Sequence, residues 1–188
     1  MYESNETTSV PTVPPTADQV KEFDQSLWYH VGVLVSQARL YLLGGERIAG
    51  TEEYAAADAL FEMLLVRLRT FDSFFSSSSE VKADDALARH FVPSWPTHHF
   101  LTGVERGRIS TRLAHLTYAQ PAEHEWAIGQ MIRRCLQAIK EFLKAVPDPL
   151  SPRWKYRLGE VTGFLNGEFA EHDLDAIWTE ADKHAHRR

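Results

Sequence analysis

Apolar residues recur along most of the chain at steps of three and four, and nowhere alternate with a period of two, so the pattern predicts helices and no strands. Val20, Phe23, Leu27, Val31, Leu34, Ala38 and Leu42 form the first stripe. It predicts a helix from about Asp18, ended by Gly44-Gly45, since glycine commonly follows a helix C-terminus. Trp28, Val33, Val35 and Tyr41 widen this stripe. A helix apolar on so many sides is either central in a bundle or shared with another subunit.

The second stripe is Ala57, Phe61, Leu64, Leu68, Phe71 and Phe75. Its steps of four and three approach a heptad seam and suit antiparallel packing against the first helix. The predicted helix spans 52–75, with Thr51 as N-cap and acids just inside, and the serines at 76–79 break it. Residues 80–92, "EVKADDALARHFV", predict a short helix, and the two prolines of "PSWPTHHF" predict a loop. A third main helix starts near Thr102, where Thr102 and Glu105 match a T-x-x-E capping box, and runs to about Tyr118. Pro121 stands at the expected start of a fourth, which carries Ile128, Ile132, Leu136, Ile139, Leu143 and Val146 to the stop "VPDPLSP". Beyond it, Ser151-Pro152 opens a stripe of Trp154, Leu158, Val161 and Leu165. Asn166-Gly167 reads as a turn, and Ala170, Leu174, Ile177 and Ala181 suggest a final helix.

The expected fold is therefore all-α: a four-helix up-down bundle with short extra helices and a helical C-terminal extension. Residues 1–17, rich in proline and threonine, read as a disordered tail. Residues 18–150 read as the bundle, and 151–188 as the extension packed on it.

Charge and composition narrow the function. The net charge of -6 lacks the basic footprint of broad nucleic-acid binding, though a local basic patch is compatible with it. No apolar run nears the about 18–20 residues that span a bilayer, and "MYESNETTSV" does not resemble a signal peptide. With Cys135 the only cysteine, no internal disulfide can form. The expectation is a soluble, cytoplasmic protein.

Candidate chemistry concentrates in "GRISTRLAHLTY" at 107–118. On an ideal helix Arg108, Arg112 and His115 share an arc of roughly 60 degrees beside the apolar face formed by Ile109, Leu113 and Leu116. Arginine offers a permanently charged fork of donors for phosphate oxygens, and histidine titrates near neutrality. Together they suffice to cleave RNA without a metal: the imidazole moves a proton and the guanidinium groups stabilise charge on phosphorus. The alternative for the same residues is a solvated helix face or structural hydrogen bonding.

Arg108, six intervening residues and His115 resemble the R-x(4–6)-H signature of HEPN domains, and the order of helices over about residues 18–146 is similar too. HEPN domains are small all-α bundles, many of them dimeric ribonucleases of toxin–antitoxin, phage-defence and RNA-processing systems. The resemblance implies catalytic Arg108 and His115, with Arg112 binding phosphate and Tyr118 accessory. It also implies a composite site across a homodimer, an RNA substrate and an antitoxin-like protein partner. Two positions depart from the pattern: Ile109 stands where Asn, Asp or His often follows the arginine, and Tyr118 lies three residues past the histidine rather than two.

Other constellations carry less. No H-x-x-x-H pair exists, so neither a metal site nor a cofactor is expected, and a DinB-like metal bundle is a minor alternative. His98 and His99 are adjacent and would point apart on a helix. His184 and His186 lie in a charged tail, and His172-Asp173 lacks the rest of an HD phosphohydrolase pattern. His30 reads as a satisfied core or interface histidine, Cys135 as a small buried residue, and Arg67 and Arg69 as flanking positions or members of an anionic site. The function expected is metal-independent endoribonuclease activity of toxin or defence type. The alternative is a non-catalytic HEPN-like dimer serving as an interaction module.

Overall fold

The computed structural model describes residues 16–43, 52–76, 85–96, 99–114, 126–146 and 152–168. Among them every regular element is a helix and there is no strand, so the chain is all-α. The helices are α1 (Ala17–Leu43), α2 (Glu52–Phe75), α3 (Ala88–Phe91), α4 (Gly103–Ala114), α5 (Ile128–Ala145) and α6 (Pro152–Asn166).

Local chemistry explains several helix ends. At α1, Thr16 Oγ1 accepts the backbone N–H of Gln19 at 3.3 Å while Gln19 Oε1 accepts that of Thr16 at 2.8 Å. This is a T-x-x-Q capping box, and it starts the helix slightly ahead of Asp18. The expected box at α4 forms in the same way: Thr102 Oγ1 accepts from Glu105 N at 3.2 Å, and Glu105 Oε2 accepts from Thr102 N at 2.7 Å. At α6, Gly167 has φ 80. Its N–H and that of Glu168 reach the carbonyls of Phe164 and Gly163, a Schellman ending that favours glycine at this left-handed position. α5 begins only at Ile128, after Ala127, whose ψ of 56 is not helical. The expected signals at Gly44-Gly45, Thr51, Pro121, Ser151 and in 170–181, as well as the tail 1–15 and the serines after Ser76, lie outside the described residues.

Cross-helix pairs give the directions. Phe23 stacks on Phe74 and Tyr41 meets Phe61, so α1 and α2 run antiparallel. Trp126 meets Phe61 while Phe142 meets Phe74, so α5 runs with α2. Trp154 donates to Asp24 and Arg157 to the Trp28 carbonyl, so α6 runs with α1. Arg112 reaches Asp58 and Arg106 approaches Asp72, so α4 runs against α2. α6 shares one core with the bundle: Trp154, Val161 and Phe164 join the buried cluster of α1, α2 and α5.

The α1–α6 contact is tight at one point. The Arg157 guanidinium lies 4.0 Å from the centre of the Trp28 ring, its Nε donates to the Trp28 carbonyl at 3.0 Å, and it pairs with Glu160. It passes directly over Gly32, where a Cβ would sit 2.5 Å from the guanidinium carbon. Arg157 is buried and held on three sides, so it cannot swing away without losing those contacts. Gly32→Ala is therefore expected to cost about 1–3 kcal/mol through overpacking. Differential scanning calorimetry should show a fall of roughly 2–4 °C in Tm per kcal/mol for a chain of this size, and an unchanged Tm would mean that Arg157 is not held as described.

Candidate functional site

α4 carries the sequence candidates, and α2 positions it. One flank of α4 is a polar seam. Near its start, Glu105 accepts from Arg134 of α5 at 2.5 Å and Arg106 approaches Asp72 of α2 at 3.8 Å. One turn on, Ser110 accepts a hydrogen bond from Arg69 of α2 and donates to the Arg106 carbonyl. Near its end, Arg112 meets Asp58 at 3.0 Å and Glu62 at 3.5 Å, with its guanidinium 5.3 Å from the centre of the Phe61 ring. Between these anchors Ile109 is fully buried. Ile109 departs from the signature residue expected after the arginine, and its packing gives the departure a physical reason: this position serves the core.

Of the sequence-predicted residues, Arg108 and Arg112 are described. Arg112 is engaged by two carboxylates and an aromatic face. Arg108 is partly exposed and lies one turn before Arg112 on α4. His115 and Tyr118 lie outside the described residues, so the structure does not place them relative to Arg108. Arg69, expected either at a flanking position or in an anionic site, joins the seam through Ser110.

A second cluster lies at the start of α4. Asp72, on α2, is buried, with its side chain 3% exposed. Its Oδ1 accepts the Leu101 backbone N–H at 2.9 Å, and its Oδ2 meets His99 Nδ1 at 2.6 Å and Arg106 at 3.8 Å. Along the sequence His99 stands out only as a neighbour of His98, and Asp72 belongs to no motif. The signal was present: a carboxylate between Phe71 and Phe74 on a core-facing stripe is expensive to bury unless it is paired.

Two further groups are accounted for structurally. His30 Nδ1 lies 2.6 Å from Arg67, whose Nε also donates to Gln37 at 3.0 Å. A guanidinium only donates, so Nδ1 accepts and the ring proton sits on Nε2. Burial first and the Arg67 charge second pull the His30 pKa below its ordinary value. His30 is thus a satisfied histidine between α1 and α2, as its place on an apolar helix suggested. Burial, then the charge of Asp72, push the Cys135 thiol well above its usual range, which leaves it protonated and unreactive inside the core.

His30 also lines a cleft of about 500 Å³ between α1, α2 and residues 85–87, with Phe23, Leu27 and Phe74 along its wall. Among the described residues no group of three or more His, Cys, Asp or Glu is placed to hold a metal ion. Comparison with protein-family models, curated proteins and solved structures finds no match to this chain.

Proposed function

We propose that the chain is a HEPN-like, metal-independent endoribonuclease of toxin or defence type, acting as a cytoplasmic homodimer and restrained by an antitoxin-like protein partner. The supporting observation is the placement of Arg108. α4 is fastened to α2 and α5 through Glu105, Arg106, Ile109, Ser110 and Arg112, and Arg108, one turn before Arg112, is partly open to solvent. His115 follows seven residues later, close to two ideal turns. In this reading His115 moves the proton of the 2′-hydroxyl or of the leaving oxygen, and Arg108 neutralises charge on the scissile phosphate. Arg112, committed to Asp58 and Glu62, holds the helix in place rather than the phosphate, and Tyr118 is accessory.

The test is cleavage of single-stranded RNA in the presence of EDTA. Wild type should yield 2′,3′-cyclic phosphate ends. His115→Ala and Arg108→Lys should each lose most of that activity, because lysine keeps the charge but not the fork of donors. Equal activity in wild type and His115→Ala, or cleavage stopped by EDTA, would assign Arg108 and His115 to structure.

A second reading has its own support. Tyr29 and Leu40 of α1 and Met63 and Val66 of α2 are large apolar side chains about half or more exposed. Asp58 and Glu62 place negative charge beside Arg112. Both features suit a non-catalytic HEPN-like dimer that binds protein rather than RNA. No described helix is long and apolar enough to cross a membrane.

A further inference from the structure

The cluster around Asp72 has the parts of a proton-transfer site that the sequence motif does not include. One oxygen, Asp72 Oδ2, faces both His99 Nδ1 at 2.6 Å and Arg106 NH1 at 3.8 Å. The carboxylate is fixed from the other side by the Leu101 N–H on Oδ1. A buried carboxylate that already accepts a backbone N–H and faces a cation acts as the acceptor toward His99 as well. A neutral imidazole here therefore carries its proton on Nδ1 and its lone pair on Nε2, the arrangement by which a carboxylate orients a catalytic histidine. His99 is 33% exposed and Arg106 36% exposed, while Asp72 is not. The imidazole and the guanidinium thus reach solvent side by side over a common buried anchor.

Cys135 feels the charge of Asp72 but is fully buried, with its thiol held neutral. In the ribonuclease reading the substrate brings its own nucleophile, the 2′-hydroxyl of RNA.

We propose that Asp72, His99 and Arg106, none of them part of the Arg108–His115 motif, form a proton-transfer site for cleavage of RNA phosphodiesters. The inference rests on the reading of the chain as a ribonuclease but competes with His115 for the role of base, so His99→Ala and His115→Ala decide between the two. His99 Nε2 takes the 2′-hydroxyl proton, the 2′-oxygen forms a bond to phosphorus, and the bond from phosphorus to the 5′-oxygen breaks. The imidazolium returns the proton to the departing 5′-oxygen. The products are a 2′,3′-cyclic phosphate and a 5′-hydroxyl, with no oxidant, reductant or metal consumed. Arg106 offsets the charge that builds on the phosphoryl oxygens. Asp72 acts through the imidazole and is a positioning residue.

The experiment uses the full chain and a mixed-sequence oligoribonucleotide with EDTA, and the 2′-deoxy oligonucleotide as control. His99→Ala should lower the cleavage rate roughly 10²- to 10⁴-fold, the usual effect of losing a general acid–base group. Free imidazole should restore a measurable part of it, because His99 borders solvent and its removal leaves an accessible space. A residue with a purely structural role gives no such rescue. Loss of activity with rescue supports the proposal. Loss without rescue in a variant that retains its helical circular dichroism overturns it, as does full activity in His99→Ala. In the latter case, loss of activity in His115→Ala would show that the ribonuclease reading stands and only the assignment of the base to His99 fails. An inert wild type overturns both.

Discussion

Phe142→Ala should lower the unfolding free energy by about 3–5 kcal/mol, the range for truncating a large aromatic in a packed core. Phe142 is 1% exposed on α5. Its ring meets Phe74 at 5.1 Å and Phe75 at 5.9 Å from α2, and Phe91 at 6.5 Å from α3. Trp95 at 5.4 Å and Trp154 of α6 at 6.1 Å complete the surround. Several of these contacts are edge-to-face, so they are directional and cannot all be remade by collapse onto an alanine. Urea denaturation followed by far-ultraviolet circular dichroism measures the loss as a lower midpoint at unchanged slope. Phe142→Leu refills much of the volume and should cost clearly less. A drop below about 1 kcal/mol for the alanine variant would show that this ring cluster does not join the helices.

Asp72→Ala is the second large effect, expected at about 3 kcal/mol. Removing one partner of a buried charged pair typically costs about 3–5 kcal/mol, and the lower end applies because His99 and Arg106 retain access to water. The substitution leaves the Leu101 N–H without its acceptor and releases the start of α4 from α2. Asp72→Asn keeps an oxygen for the Leu101 N–H and should lose less. The same denaturation series separates the two variants, and equal midpoints for Ala and Asn would place the effect in packing rather than in hydrogen bonding.

The sequence told of elements better than of their polar seams. α2 follows its expected bounds because a long stripe at steps of three and four can bury only as a helix. The Thr102–Glu105 box and the Asn166-Gly167 turn were legible because capping needs particular donors and acceptors at fixed local spacing. Thr16-x-x-Gln19 has the same local form and was missed beside a proline-rich segment.

Asp72 with His99, and Arg112 with Asp58, were not legible. These pairs join residues 27 and 54 positions apart, and periodicity along one helix does not say which charged residue on another will face it. For the same reason the place of Arg112 on a helical wheel does not reveal that Asp58 and Glu62 of α2 face it. The all-α class follows from pattern; the candidate site depends on pairing.

α6 closes against α1 through Trp154 with Asp24 and Arg157 with Trp28, contacts that span 130 and 129 residues. At about 5–20 residues per second of synthesis, α1 waits roughly ten seconds for the side chains that will cover this flank. Meanwhile α1 and α2 can pair, because the partners Tyr41 and Phe61 are near neighbours in the chain. Until α6 emerges, the flank of α1 that Trp154 and Arg157 cover is open to water. During that interval the fate of the nascent chain depends on the rate of translation and on chaperones as much as on final stability.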